Sequence, residues 1–441
     1  VIIMISDGCG YNHVDAASLY QYGETGVQPY EQFPVMLGMT TYSADGHGYD
    51  GAQAWADFDY VNHGYTDSAA AATAMSTGAK AYDGAIGVGT DGEPLQHILV
   101  RAEALGKSTG VVTTMALSHA TPAAFVAHNE SRYNYAQIAQ QMILTSTVDV
   151  IMGAGHPWYD NDGKKLRWPQ SYRYVGDARL WNRLVAGTAG GDCDGDGVSD
   201  PWHLVETRAE FQALASGATP KRVIGVARAH ETLQERRTDG RGSYDYGVPS
   251  PYRNDPPYFV PLNDGVPRLE EMTEAALNVL DDDPDGLFLM VEGGAVDYAS
   301  HANESGRMIE EQIDFDRAVE AAIEWVEENS HWAETLLIVT ADHETGYLTG
   351  PDSDPTWEPL VNNGAGNMPG MEWHSDLHTN SLVPIFAQGE AASLFRSYAD
   401  ETDPVHGPYI GNTDIAQLVF ACMVRPHRLY LPTALESATQ R

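Results

Sequence analysis

Basic residues are scarce in this 441-residue chain: 25 Lys and Arg face 62 Asp and Glu, a formal charge of −37 at pH 7. Such a field repels nucleic acid and anionic membrane surfaces, so neither is expected as a partner. Only 5 of the 25 basic residues are lysine, which suits the surface of a salt-adapted, halophilic protein. Cysteine is nearly missing too. Cys9, Cys193 and Cys422 are too few and too scattered for a disulfide framework or a thiolate zinc site, and Cys422, in the apolar run 418–424, reads as core. No stretch reaches the roughly 20 apolar residues that span a bilayer, so no membrane span is expected. The chain opens inside a strand-like run with no charged leader before it. A signal peptide removed upstream would leave the same beginning, so the start says nothing of destination.

What is present suffices for a large core, with 43% hydrophobic residues and 23 Tyr, 10 Phe and 9 Trp, and one to three domains are expected. Short apolar runs at 1–6, 109–115, 148–152, 286–291, 335–340 and 382–387 read as strands, and 69–75, 135–144 and 307–327 read as helices. That alternation predicts an α/β fold, a mostly parallel central sheet flanked by helices. Residues 1–155 and 284–441 form its expected core. Residues 156–283, rich in Asp, Gly, Pro and Tyr and weakly periodic, read as a loop-rich insertion or accessory region.

The polar residues just beyond the strand-like runs are the informative ones. Asp7 follows the first, His119 and Thr121 lie beyond the second, Glu292 follows 287–291, and Asp342 and His343 follow 336–340. Ligands in open α/β sheets bind outside the carboxyl ends of the strands, so these groups are expected in one crevice. Carboxylates gathered there repel unless cations sit among them. Asp297 and His301, four apart, share a face if their segment is helical, and His378 offers a further imidazole. Mixed oxygen and nitrogen ligands suit Zn²⁺, and an oxygen set suits Mg²⁺. Taken singly, each has a plainer reading as a helix cap, a surface ion pair or a core histidine; their joint placement at strand ends favours the metal reading. Ser68 opens an Ala-rich helix, where an ordinary N-cap and a metal-activated nucleophile are both open readings.

These segments together resemble the alkaline phosphatase family. The resemblance is carried by Asp7-Gly8, Asp67-Ser68-Ala69, His119 to Ala124 with His128 and Arg132, Glu292-Gly293 with Asp297 and His301, Asp342-His343-Glu344, and His378-Thr379, in family order. It covers roughly 1–155 and 284–420. It implies phosphomonoester hydrolysis with a broad substrate range, through a phosphoserine on Ser68 that water releases as inorganic phosphate. Asp297, His301 and His378 would hold one Zn²⁺ and Asp7, Asp342 and His343 a second. Asp7 would bridge to a Mg²⁺ held by Thr121 and Glu292, and Arg132 would clamp two phosphate oxygens. It further implies a periplasmic or secreted homodimer acting on small phosphate monoesters. Two positions depart from the pattern: His119 and Tyr298 stand where relatives carry Asp, His or Trp and Lys, His or Trp. Both are expected just outside the ligands, His119 reaching magnesium through water or favouring zinc there.

Other functions stay open: a phosphodiesterase or sulfatase of the same superfamily, or a non-catalytic extracellular protein binding calcium or phosphate. Asp192, Asp194, Asp196 and Asp200, with Gly197 at the sixth position, match an EF-hand-like turn, but His203 replaces the bidentate Glu at the twelfth. A Ca²⁺ loop of modest affinity and an acidic solvated turn are both compatible with this spacing.

Overall fold

The computed structural model describes residues 1–191, 197–242 and 248–423. An 11-stranded sheet organises the chain. Across it lie Glu401–Asp403, Gly407–Gly411, Val35–Thr40, Val383–Gly389, Leu336–Thr340, Ile2–Ser6, Leu287–Gly293, Ser108–Ala116, Val150–Ala154, Val223–Val226 and His203–Val205. From Leu336–Thr340 to His203–Val205 every pairing is parallel. Antiparallel pairings flank Val383–Gly389, on its other side. The central strands are buried throughout, as parallel strands covered on both faces must be, which explains their unbroken Ile, Val, Leu and Met runs.

Register brings the site together. Ile5 lies opposite Glu292 on one side and Thr340 on the other, so Asp7, Glu292 and Asp342 emerge at one end of three adjacent strands. Helix Ser305–Asn329 turns Ile309, Ile313 and Ala318 inward and packs against Tyr11–Tyr22 and Leu269–Leu280. All six expected strands and all three expected helices are present, with ends displaced by a few residues at most.

The stretch 156–283 contains more regular structure than its composition suggests. His203–Val205 and Val223–Val226 extend the main sheet at its edge, and Leu269–Leu280 packs beneath it. Strands of three and four residues are too short to show a period of two, which is why the stretch reads as loops. Of the calcium candidates, Asp192, Asp194 and Asp196 lie outside the described residues. Asp200 pairs with Lys221 at 3.1 Å. Among the described residues no helix is long and apolar enough to cross a membrane.

Candidate active site

Three groups of candidate ligands converge at the carboxyl ends of the parallel strands: Asp297, His301 and His378; Asp7, Asp342 and His343; and Asp7, His119 and Glu292. Within each group the ligand atoms lie inside 4.8 Å of one another, and Asp7 is shared by two. Helix Ala295–His301 gives Asp297 and His301 their common face. His378 arrives on a two-stranded ribbon, Glu344–Thr345 against His378–Thr379. Gly8 makes the turn after Asp7 with φ +76°, where a Cβ would meet Asp297 Cα at 2.7 Å, so only glycine fits.

Hydrogen bonds settle which nitrogens face inward. His301 Nδ1 lies 2.6 Å from the Asp376 carbonyl and His378 Nδ1 2.8 Å from the Thr66 carbonyl. Carbonyls only accept, so both Nδ1 atoms carry hydrogen and a neutral ring keeps its lone pair on Nε2. Those two Nε2 atoms stand 3.0 Å apart, each 3.4 Å from Asp297 Oδ1. Three acceptors facing one point require positive charge between them, a proton or a metal ion. His343 repeats the arrangement, with Nε2 at 3.5 Å from Asp7 Oδ1, 3.3 Å from Asp342 Oδ2 and 3.2 Å from Ser68 Oγ.

The carboxylates carry the same signature. Both oxygens of Asp7, Asp342 Oδ2 and Glu292 Oε1 are buried without a hydrogen-bond partner, as are His119 Nδ1 and Thr121 Oγ1. An unsatisfied buried polar atom costs about 1–3 kcal/mol, and this chain gathers six in one place. Burial pushes Glu292 up to about 7; burial and the Asp297 charge push Asp342 up to about 6. Asp7 rises well above the carboxylate range through burial and then the charges of Asp342, Asp297 and Glu292. Asp297 goes the other way: burial raises it, but His301 and His378 outweigh that and hold it well below its ordinary value. Burial and the nearby Arg132 charge lower His119 to about 3, so its ring is neutral and able to donate a lone pair.

Ser68 is the first residue of helix Ser68–Thr77, and Asp67 is its cap, accepting from Ala70 N at 3.0 Å. Asp67 also accepts from Gly84 N at 3.0 Å and holds Arg132 Nη1 at 2.9 Å, tying the guanidinium to the residue just before Ser68. Asp7, Glu292, Asp297, His301, Asp342, His343 and His378 thus fall within the three groups, and Thr121 Oγ1 is buried with no hydrogen-bond partner. His119, expected to reach magnesium through water or to favour zinc there, puts a ring nitrogen within 4.8 Å of oxygens of Asp7 and Glu292, and the Tyr298 hydroxyl lies 3.5 Å from its Nε2. The hold of Asp67 on Arg132 has no trace in the sequence, although an Asp before an Ala-rich run is a recognisable cap signal. Thr113, which hydrogen-bonds Glu292, left no such signal.

The chain is 32% identical over 373 residues to alkaline phosphatase 4 of Bacillus subtilis, covering 82% of this chain and 65% of that protein. It is 30% identical over 431 residues to the alkaline phosphatase of Escherichia coli, covering 91% and 83%. It therefore spans just under two thirds of the length of the Bacillus relatives it matches, at 65% and 64%. Among solved structures, a cold-active alkaline phosphatase of Shewanella superposes with a TM-score of 0.67 at 24% identity, covering 96% and 99% of the two chains. A His-to-Asp variant of the phosphatase of the Antarctic bacterium TAB5, with Mg bound in its M3 site, superposes at 0.62 and 24%, covering 96% of each. The alkaline phosphatase family model aligns from residue 1 to 369, taking in every candidate ligand except His378, and the chain belongs to that family.

Proposed function

We propose that this protein hydrolyses phosphate monoesters, Ser68 Oγ taking the phosphoryl group and water then releasing it as inorganic phosphate. One observation carries the reading: lone pairs and unpartnered carboxylate oxygens converge from three sides beside the Ser68 hydroxyl. The donor sets fit cations. Asp297, His301 and His378 would hold one zinc and Asp7, Asp342 and His343 a second. Asp7, Glu292 and Thr121 would hold the third ion, magnesium in the family resemblance. His119 adds a nitrogen donor there, which favours a transition ion. TAB5 variants with Asp or Glu in place of a histidine hold Mg in the M3 site, in line with that competition between nitrogen and oxygen donors. Bound in these groups, divalent cations supply the Lewis-acid charge that lowers the hydroxyl's pKa and steadies the attacking and leaving oxygens.

The chain's own groups do the rest. Ser68 stands at the positive end of a ten-residue helix, where backbone amides and the dipole favour a phosphate dianion. Arg132, tied to Asp67 by one nitrogen, presents its remaining donors as a planar fork for two phosphate oxygens. His301 and His378 are half-buried whereas Asp7, Asp342 and His343 are buried, so the crevice opens to solvent at the group of Asp297, His301 and His378. A leaving group on that open side can project into solvent, which favours broad monoester specificity. The same reading makes the protein a periplasmic or secreted homodimer.

The test is elemental analysis beside hydrolysis of an aryl phosphate monoester, a diester and a sulfate ester. Monoester hydrolysis should dominate, vanish on chelation and return with zinc and magnesium. Full monoester activity in a metal-free preparation, or preference for the diester or sulfate ester, would contradict the reading.

A further inference from the structure

We propose that Thr345 is the positioning residue that locks the two zinc-type groups into one unit, an inference that rests on the metal reading above. It is fully buried and touches four segments, each of which bears a candidate ligand. Its backbone N–H donates to Gly8 O at 3.0 Å, next to Asp7. In the two-stranded ribbon it lies directly opposite His378. Its hydroxyl lies 2.6 Å from Asp297 Oδ1 and 3.3 Å from His343 Nδ1.

The hydroxyl has one hydrogen, and that fixes every direction in the chain of bonds. An ionised carboxylate only accepts, so Oγ1–H is given to Asp297. Oγ1 can then only accept from His343, so Nδ1 carries the hydrogen and the bare Nε2 faces Asp7, Asp342 and Ser68. One hydroxyl thereby sets the tautomer of the histidine in one group and the orientation of the carboxylate in the other. The threonine itself is held from behind: His13 Nδ1 accepts from Gly10 N at 3.2 Å, so its Nε2–H donates to the Thr345 carbonyl at 3.0 Å. Asp297 Oδ1 is the oxygen that faces both His301 and His378, so a shift at Thr345 reaches all the ligands of that group.

The test compares Thr345→Val, which keeps the shape and loses the hydroxyl, with Thr345→Ser, which keeps the hydroxyl and loses the methyl. The readout is zinc affinity by chelator competition, with stoichiometry by elemental analysis and the melting temperature of each metal-free variant as a control. Wild type should bind two zinc ions tightly. Thr345→Val should weaken both together by roughly 10–100-fold, the usual effect of losing a partner of a metal ligand, and Thr345→Ser should stay within a few-fold of wild type. Thr345→Ala against Thr345→Ser repeats the contrast without bulk, should the valine variant not fold. Wild-type affinity in Thr345→Val, or equal loss in Thr345→Ser, would overturn the proposal, as would weakening confined to one ion. A wild-type protein that binds no zinc would instead overturn the metal reading beneath it.

Discussion

Two clusters of buried acid meet at Tyr298, and in only one of them do arginines stand against the acids. Glu235, Glu304 and Glu310 are each met by an arginine: Arg236 Nε at 3.4 Å, Arg307 Nε at 3.0 Å, and Arg237 in a closer pair. Asp7, Asp342 and Glu292 are equally deep. Among the described residues, Asp7 and Asp342 pair only with His343, and Glu292 pairs with no basic side chain. The clusters touch through Tyr298, whose ring lies 5.0 Å from the Arg236 guanidinium and whose hydroxyl reaches His119. Where the counter-charge is built into the chain, the acids serve the fold. Where it is left out, it must come from solution, as protons or as metal ions, and that cluster is where chemistry is expected.

The contrast breaks most visibly at Ser68. Ser68→Ala should lower turnover by roughly 10³-fold or more and leave metal content unchanged, because each group keeps its three carboxylate and imidazole donors without the hydroxyl. Trapping with labelled substrate at acidic pH should mark wild type on Ser68 and leave the variant unmarked; a label on another residue would contradict the assignment. Arg237→Met should do the opposite. It leaves Glu310 buried and unpaired, which costs about 3–5 kcal/mol of stability by denaturant titration, while metal content and the turnover of folded protein hold. Metal loss without a loss of stability would erase the distinction between the clusters.

A smaller effect sharpens the comparison through pH. Burial raises Glu292 to about 7 and Asp342 to about 6, against values near 4 in an unfolded chain. A carboxyl raised on folding favours the protonated folded state. Its contribution is therefore full below the unfolded value and is lost progressively as pH rises from about 4 to about 7. The metal-free protein should lose melting temperature across that window. The zinc-loaded protein should not, since the ions hold these groups as anions and loading releases their protons. Asp316, pushed up to about 7 by burial and outside the three ligand groups, affects both forms alike, so the gap between them isolates the crevice. A gap that does not widen with pH would mean that these acids do not meet the metal.

Much of this site was legible because it obeys periodicities that survive in sequence. Asp7, Glu292 and Asp342 follow unbroken apolar runs, and Asp297 and His301 repeat at helical spacing in a helix that spans both. How His119 meets Asp7 and Glu292 depends on how the helix Ala120–Ala123 leaves the strand before it, a direction with no periodic trace. Thr345 was missed because its importance lies in hydrogen bonds to residues 48 and 2 positions away, with nothing unusual in its own neighbourhood. The edge strands His203–Val205 and Val223–Val226 were hidden by their brevity, and long-range pairing made them strands where local pattern did not.

Anomalous diffraction at the zinc edge from crystals of the zinc-loaded protein tests most directly whether the missing counter-charge is metal. Peaks are expected at both zinc-type groups, one bound by Asp297, His301 and His378 and the other by Asp7, Asp342 and His343 beside Ser68 Oγ. No peak in the crevice, or zinc held only by surface carboxylates, would contradict it.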